Sequence, residues 1–304
     1  MKKQAIQSLT LLLFMSFTCL NLSSQSWKRN RAEWTFGLGA TNFLGDLGGM
    51  DKIGSGPFSL RDMELNLTRL SGNIGYRYML RPDMRLKGLL TYCRVEGDDK
   101  LTNEPARNYR NLKFRSPIVE LSLTYEYYLF QERAGHLYKF KGVRGARGNN
   151  WNMYLFGGIG AFWFNPKGPL NGRWYALQPL GTEGQGLPGG PKKKYSRISV
   201  SIPVGVGIRY TIDRFWSVNL EFNLRKTFTD YIDDVSTVYY DKNVILQERG
   251  PVAAYFADPS SGTRPGWTAP GEMRGDSNDK DAFLSAIISV NYKFTRRRGY
   301  RPKF

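Results

Sequence analysis

Strict alternation of apolar and polar side chains is the dominant pattern along the chain, and it recurs in separated blocks. Ile198, Val200, Ile202, Val204, Val206, Ile208 and Tyr210 alternate with Ser199, Ser201, Pro203, Gly205, Gly207 and Arg209. Trp216, Val218, Leu220, Phe222 and Leu224 alternate with Ser217, Asn219, Glu221, Asn223 and Arg225. Val119 to Leu129 and Leu284 to Phe294 repeat the pattern, with Glu120, Ser122, Thr124 and Glu126 on the polar face of the first. Weaker versions cover Trp34 to Ala40, Leu70 to Leu80, Met84 to Tyr92 and Met153 to Trp163; in the last both faces are apolar and glycine-rich, which leaves its orientation open. An extended chain projects successive side chains to opposite faces, so each block predicts a strand with one apolar and one polar face, and none fits a helix. About eight strands result, many near the roughly 9–11 residues with which a tilted strand crosses a bilayer.

The connections alternate in length. Leu80-Arg81-Pro82-Asp83 and Ile212-Asp213-Arg214 make tight turns, whereas the segments around 43–64, 97–114, 165–196 and 228–281 are long and polar. Short turns on one side and long loops on the other predict an all-β fold: a closed antiparallel transmembrane β-barrel with long extracellular loops and both termini periplasmic. The 130–150 connection breaks the rule, being long where a short turn is expected. A lipocalin or a sandwich also alternates, with the faces reversed. Aromatics near strand ends (Trp34, Tyr78, Tyr92, Tyr127, Trp163, Tyr210, Trp216, Tyr292) and mid-strand charges favour the membrane reading. The interior is then expected to hold Asn73, Arg77, Glu120, Glu126, Glu221 and Arg225 and to leave no aqueous channel.

The first 24 residues read as a secretory signal peptide: Lys2 and Lys3, an apolar run from Leu9 to Leu22, then Ser23 and Ser24. Ser16, Thr18 and Asn21 interrupt that run, which argues against a membrane anchor, and the residues before Cys19 lack an acylation pattern. The expected organisation is 1–24 signal peptide, 25–294 outer-membrane barrel and 295–304 periplasmic basic tail, with export through the Sec pathway. At 41% hydrophobic and 14% aromatic, with a mean hydropathy of −0.45, the chain is too apolar for disorder and too polar for a helical membrane protein. Cleavage lowers the formal charge of +18 by two, to +16, and leaves Cys93 as the only cysteine. No disulfide framework is then possible, and Cys93 is expected in the barrel wall.

Candidate chemistry is sparse. One histidine, His136, lies in the 130–150 connection, on the side opposite to an outer-leaflet lipid-modifying site, so no enzyme activity is expected. Asp230, Asp233 and Asp234 are oxygen ligands that suit calcium, but their spacing matches no EF-hand loop, and pairing with Arg225 and Lys226 accounts for them more simply. Neither a metal nor a cofactor is expected. Lys139, Lys141, Arg144 and Arg147 share the periplasmic side with Arg296, Arg297 and Arg298, and together would form a basic docking surface for an acidic partner. No aromatic-basic recognition module for nucleic acid is visible. Lys192 to Lys194 fall on the outer side, where they suit lipid phosphates, so outer-membrane lipid is a second expected partner.

Four segments carry a family resemblance: Asn42 to Gly49 (NFLGDLGG), Arg110 to Ser116 (RNLKFRS), Gln178 to Gly186 (QPLGTEGQG) and Arg225 to Thr237 (RKTFTDYIDDVST). In them the chain resembles the PorG-type outer-membrane barrel of the type IX (Por) secretion system, over nearly its whole length after residue 24. The resemblance implies a component of a machine that exports cargo across the outer membrane and in some bacteria supports gliding. It also implies association with a periplasmic ring built from a lipoprotein and its partner, and it carries no catalytic residues. The shared residues Gly45, Asp46, Arg110, Asn111, Gly181, Thr182, Glu183, Gly184, Gln185, Thr229, Asp230, Asp233 and Asp234 fall in or beside the expected outer loops. There they would brace loop structure. Gly45, Gly48, Gly49, Gly181, Gly184 and Gly186 suit turns with positive φ. A transport pore or adhesin-like barrel, and a lipid-modifying barrel enzyme, remain the alternatives.

Overall fold

The structure is a computed structural model that describes residues 31–45, 47, 65–102, 104–130, 150–213, 215–277 and 279–294. All eight alternating blocks are strands: β1 (Ala32–Leu44), β2 (Arg69–Arg81), β3 (Met84–Asp98), β4 (Lys113–Tyr128), β5 (Trp151–Phe164), β8 (Ile198–Thr211), β9 (Trp216–Thr227) and β10 (Ala282–Phe294). The connection between β5 and β8 adds a hairpin of β6 (Lys167–Leu170) and β7 (Arg173–Ala176), which touches the barrel where Lys167 pairs with Arg115. Hydrogen bonding runs β3-β2-β1-β10-β9-β8-β5-β4 and returns from β4 to β3, so the sheet is closed and has no edge within the barrel. Every barrel pair is antiparallel. The closing pair runs from Ala32 opposite Phe294 to Leu44 opposite Ala282. This is the closed antiparallel barrel of eight strands that the alternation predicts.

Burial follows the period of two with the polarity of a water-soluble protein reversed. Leu38, Leu121, Ile159, Phe222 and Ile288 point outward, Leu38 with 77% of its surface free, while Arg77, Arg85, Lys87 and Arg209 are wholly enclosed. An apolar band of this extent is unfavourable against water and favourable against hydrocarbon, whereas a closed barrel satisfies every backbone group internally. The barrel therefore spans a membrane. Among the described residues no helix is long and apolar enough to cross one. An aromatic belt rings the end that holds both barrel termini: Trp34 lies 5.5 Å from Tyr76 and 6.2 Å from Phe294, Trp216 4.8 Å from Tyr292, and Trp151 4.8 Å from Tyr210.

The orientation of β5 resolves on volume and hydrogen bonding. Asn152, Tyr154, Phe156, Phe162 and Phe164 face inward, and Met153, Leu155, Ile159 and Trp163 outward. Tyr154 is inside because its hydroxyl donates to Glu221 at 2.6 Å. Gly160 is inside because a Cβ there would sit 2.6 Å from Ser201 Oγ and 2.9 Å from Glu120 Oε1. Cys93 is buried on the inner side of β3.

At the opposite end the long connections are more ordered than their polarity predicts. They hold the β6–β7 hairpin and the helices α1 (Pro105–Arg110), α2 (Lys242–Arg249) and α3 (Pro251–Ala257). Helix α1 starts at Glu104, whose carboxylate accepts the Arg107 N–H at 2.8 Å, and ends at Asn111 in the left-handed region (φ 57°). The Asp241 side chain caps α2, and Gly250 (φ 84°) ends it.

Candidate functional site

Two buried polar assemblies stand where a pore or a binding cavity would have to be. The first fills the lumen. Glu33 of β1 accepts both terminal nitrogens of Arg209, at 2.8 and 3.0 Å, and lies 3.2 Å from Arg85 Nη1 and 3.5 Å from Arg77 Nη1. Lys87 Nζ lies between Glu221 (2.7 Å) and Glu126 (3.0 Å). Arg77 spans the two acids, with Nε 2.9 Å from Glu126 and Nη2 3.3 Å from Glu221. Nearer the loops, Arg225 Nε meets Glu120 at 2.6 Å, and Ser201 donates to Glu120 at 2.6 Å. Aromatic rings fit between these layers: Arg85 lies 4.1 Å over Tyr128 and Lys87 4.8 Å from Phe156. The alternation placed Asn73, Arg77, Glu120, Glu126, Glu221 and Arg225 inside, where they are found. Glu33, Arg85, Lys87 and Arg209 were missed, although they occupy polar positions of the same pattern.

The second assembly is a cap over the loop end. Its base is apolar: Phe43, Phe114, Phe164, Ile232, Val235, Phe256 and Phe283 form one buried cluster. Above it, three of the motif segments converge on a residue outside all of them, Arg274. Its Nη1 donates to Glu183 at 2.9 Å and to the Asp234 carbonyl at 2.6 Å, and Nη2 to the Phe256 carbonyl at 3.3 Å. Its own carbonyl accepts Arg110 Nη1 at 2.5 Å, and Arg110 grips Asp99 through two bonds of 2.8 and 2.9 Å. Glu183 also accepts the Ser236 N–H (2.9 Å), the Thr237 N–H (3.2 Å) and the Thr237 hydroxyl (2.7 Å). Asp234 accepts the hydroxyls of Tyr195 at 2.5 Å and Thr182 at 2.6 Å. Gln185 Oε1 accepts the Glu183 N–H at 3.1 Å, Asn111 Nδ2 donates to the Pro259 carbonyl at 3.3 Å, and the Thr229 carbonyl accepts the Asp281 N–H at 3.1 Å.

Several expectations need correction. The aspartates do not form a patch neutralised by Arg225 and Lys226: Arg225 turns into the lumen to Glu120, Lys226 pairs with Asp279 at 2.9 Å, and Asp234 faces Arg274. Asp233 Oδ1 accepts the Val235 N–H at 3.0 Å, and Asp230 is buried. Among the described residues no group of His, Cys, Asp and Glu is arranged to hold a metal. Gly181 (φ 61°), Gly184 (φ 71°) and Gly186 (φ 84°) do take left-handed turns. Gly45 does not; it is required because a Cβ there would collide with the Phe43 ring and Asp281. Asp46, Gly48 and Gly49, residues 1–24, His136, Lys139, Lys141, Arg144, Arg147, Arg296, Arg297 and Arg298 lie outside the described residues.

Burial pushes the Asp234 carboxyl up from 3.8 to about 6, against the pull of Arg274 and of hydrogen bonds from Thr182 and Tyr195. Between pH ~4 and ~6 the folded cap thus keeps a proton that the unfolded chain has released, so cap stability falls as pH rises through that window and is flat above it. A shift of this size corresponds to about 3 kcal/mol. The expected result for Asp234→Asn is loss of this slope, measured as the difference between wild type and variant in resistance of the cap to limited proteolysis at pH 4.5 and 7.5.

No protein-family model matches the chain, and no curated protein matches it. Among solved structures it is similar to Neisserial surface protein A (NspA), at 9% identity and a TM-score of 0.36 over 86% of this chain and 96% of that one. It is also similar to the N-terminal β-barrel domain of Pseudomonas aeruginosa OprF, at 9% identity and 0.33 over 87% and 99%. The attachment invasion locus protein Ail of Yersinia pestis gives 9% and 0.34 over 87% and 99%. At such scores these likenesses carry no functional weight, and the closed strand order alone defines the barrel.

Proposed function

We propose that this chain is a non-enzymatic outer-membrane barrel of the type IX protein secretion machinery, and of gliding where the bacterium glides, which anchors a periplasmic ring at the membrane. The observation that carries this reading is the filled lumen: Arg77, Lys87, Glu126 and Glu221 occupy the axis with direct ion pairs, so the barrel offers mass and surface rather than a path for solute. The secretion assignment is supported by the sequence motifs, three of which meet in one cap. Anchoring is supported by two basic stretches of the sequence. Lys139, Lys141, Arg144 and Arg147 join β4 to β5, and Arg296, Arg297 and Arg298 follow β10. An acidic surface on the ring lipoprotein or its partner is the complement they would take.

Co-purification tests this. Ring components are expected to follow the tagged wild-type barrel out of solubilised outer membranes. They should be lost when Lys139, Lys141, Arg144 and Arg147 are changed together to Gln, while the variant still migrates as a folded barrel. Unchanged recovery of the ring refutes the docking surface. The same wild-type preparation in planar bilayers should pass no unit current; a stable conductance would favour the pore.

A further inference from the structure

Charge is distributed unevenly around the loop end of the barrel. At β9–β10 it is balanced, with Lys226 2.9 Å from Asp279. At β4–β5–β8 it is not. Arg115 stands on the outward face of β4 opposite Lys167, and its guanidinium lies 3.8 Å over the Trp174 ring. Arg197 reaches Asn165 Oδ1 at 3.5 Å and lies 6.0 Å from the ring of Trp163, a membrane-facing side chain at the end of β5. Arg173, Lys192 and Lys193, in the same connection between β5 and β8, are exposed. The one carboxylate of the whole 165–197 segment, Glu183, is buried against Arg274. Across β3–β4 the carboxylate opposite Arg115, Glu96, is taken by Arg69 at 2.6 Å and Arg94 at 3.0 Å. Among the described residues no ion pair reaches Arg115, Lys167 or Arg197.

The arc of these three cations is continuous with an apolar wall. Directly beneath it Leu121, Ala161 and Val200 lie side by side across β4, β5 and β8, flanked by Val119, Trp163 and Ile198. The small Ala161 keeps this wall shallow. A soluble anion has no use for such a wall, and an acidic protein would have to enter the hydrocarbon to cover it. An amphiphile whose phosphates lie at the level of Trp163 matches both parts at once, since Trp side chains mark the headgroup boundary and basic residues there attract anionic lipid.

We infer that this face binds a phosphorylated lipid of the outer leaflet, with its phosphates on Arg115, Lys167 and Arg197 and its acyl chains along β4, β5 and β8. The inference depends on the barrel crossing the membrane and is independent of any role in secretion.

The test uses the full-length protein in neutral detergent, with retained lipid counted by native mass spectrometry. The probes are bisphosphorylated lipid A, the same lipid after enzymatic dephosphorylation, and inorganic phosphate as competitor. Wild type is expected to retain the phosphorylated lipid, to release the dephosphorylated one, and to resist displacement by inorganic phosphate. R115Q, K167Q and R197Q should each lower apparent affinity about fivefold, from the usual worth of a cation at a membrane surface. K226Q, on the balanced side, should leave it unchanged. Weakening of wild-type retention by added salt gives a second reading that needs no variant. Equal retention of both lipids, or a loss in K226Q equal to that in the other variants, overturns the inference; displacement by phosphate alone overturns its lipid part.

Discussion

Glu221→Ala is expected to lower the stability of the barrel by about 3–5 kcal/mol, the usual consequence of removing one member of a buried charge cluster. Glu221 is the shared acceptor of Lys87 at 2.7 Å, Arg77 at 3.3 Å and the Tyr154 hydroxyl at 2.6 Å. Truncation leaves Lys87 with Glu126 alone, leaves Arg77 with Glu126, Asn291 and a distant Glu33, and deprives the Tyr154 hydroxyl of its carboxylate acceptor. None of these groups can turn to water, because Arg77, Lys87 and Tyr154 are fully enclosed. Glu221→Gln keeps the acceptor oxygen and removes only the charge, so its effect should be smaller, about 1–3 kcal/mol. Replacing the pair, as Glu221→Leu with Lys87→Met, should restore much of the loss, since well-packed apolar groups substitute for a buried ion pair at little net effect. Urea midpoints of the folded-to-unfolded shift in lipid vesicles measure all of these, and the difference between the single and double variants isolates the coupling. A double variant as unstable as the sum of its parts would show that Lys87 and Glu221 act separately.

The lumen and the cap differ in how far their sequences announce them, and the reason is physical. A strand repeats every two residues, so Glu120, Glu126, Glu221 and Arg225 declare themselves by standing where an apolar face cannot be. Glu33 and Arg209 were equally visible in position, but each lies near a strand end, where a charge is also expected to meet water. In β5, Gly157, Gly158 and Gly160 dilute the signal and Tyr154 and Phe156 make the inner face look apolar. Its polarity comes from Asn152 at one end, from the Tyr154 hydroxyl and from partners on other strands. The cap has no period to read. Its helices span only 6, 8 and 7 residues. Their starts were marked by Glu104, Asp241 and Pro251 and their ends by Asn111 and Gly250, signals too local to weigh without knowing what the helix packs against. The motif residues Glu183 and Asp234 lie in two of the segments that meet in the cap. The cation that joins them, Arg274, lies 91 residues from Glu183 in a stretch of Gly, Pro and polar residues, and only the closed topology brings the two together.

Arg274→Ala is expected to open the cap while leaving the barrel standing. The guanidinium neutralises two buried carboxylates, Glu183 at 2.9 Å and Asp234 at 4.0 Å, and also holds the backbone carbonyls of Asp234 and Phe256. Glu183 and Asp234 are themselves buried, so losing the cation strands two negative charges in a site without solvent. That is a loss of about 3–5 kcal/mol. It falls on connections outside the membrane, whereas the strand ladders and the Glu33, Glu126 and Glu221 clusters are untouched. Limited proteolysis should therefore cut within 165–197 and 228–281 in the variant and not in wild type, with the heat-dependent migration of the barrel unchanged in both. The loss should also depend on pH. Asp234 already holds its proton below about 6 in wild type, and without Arg274 opposing the effect of burial its carboxyl moves higher still. Acid thus offsets part of the missing charge, and the variant should resist protease better at pH 5 than at pH 7.5. Adding Asp234→Asn should recover part of the resistance at pH 7.5 by removing one stranded carboxylate. Equal cutting of single and double variants at both pH values would locate the role of Arg274 in its carbonyl contacts rather than in its charge.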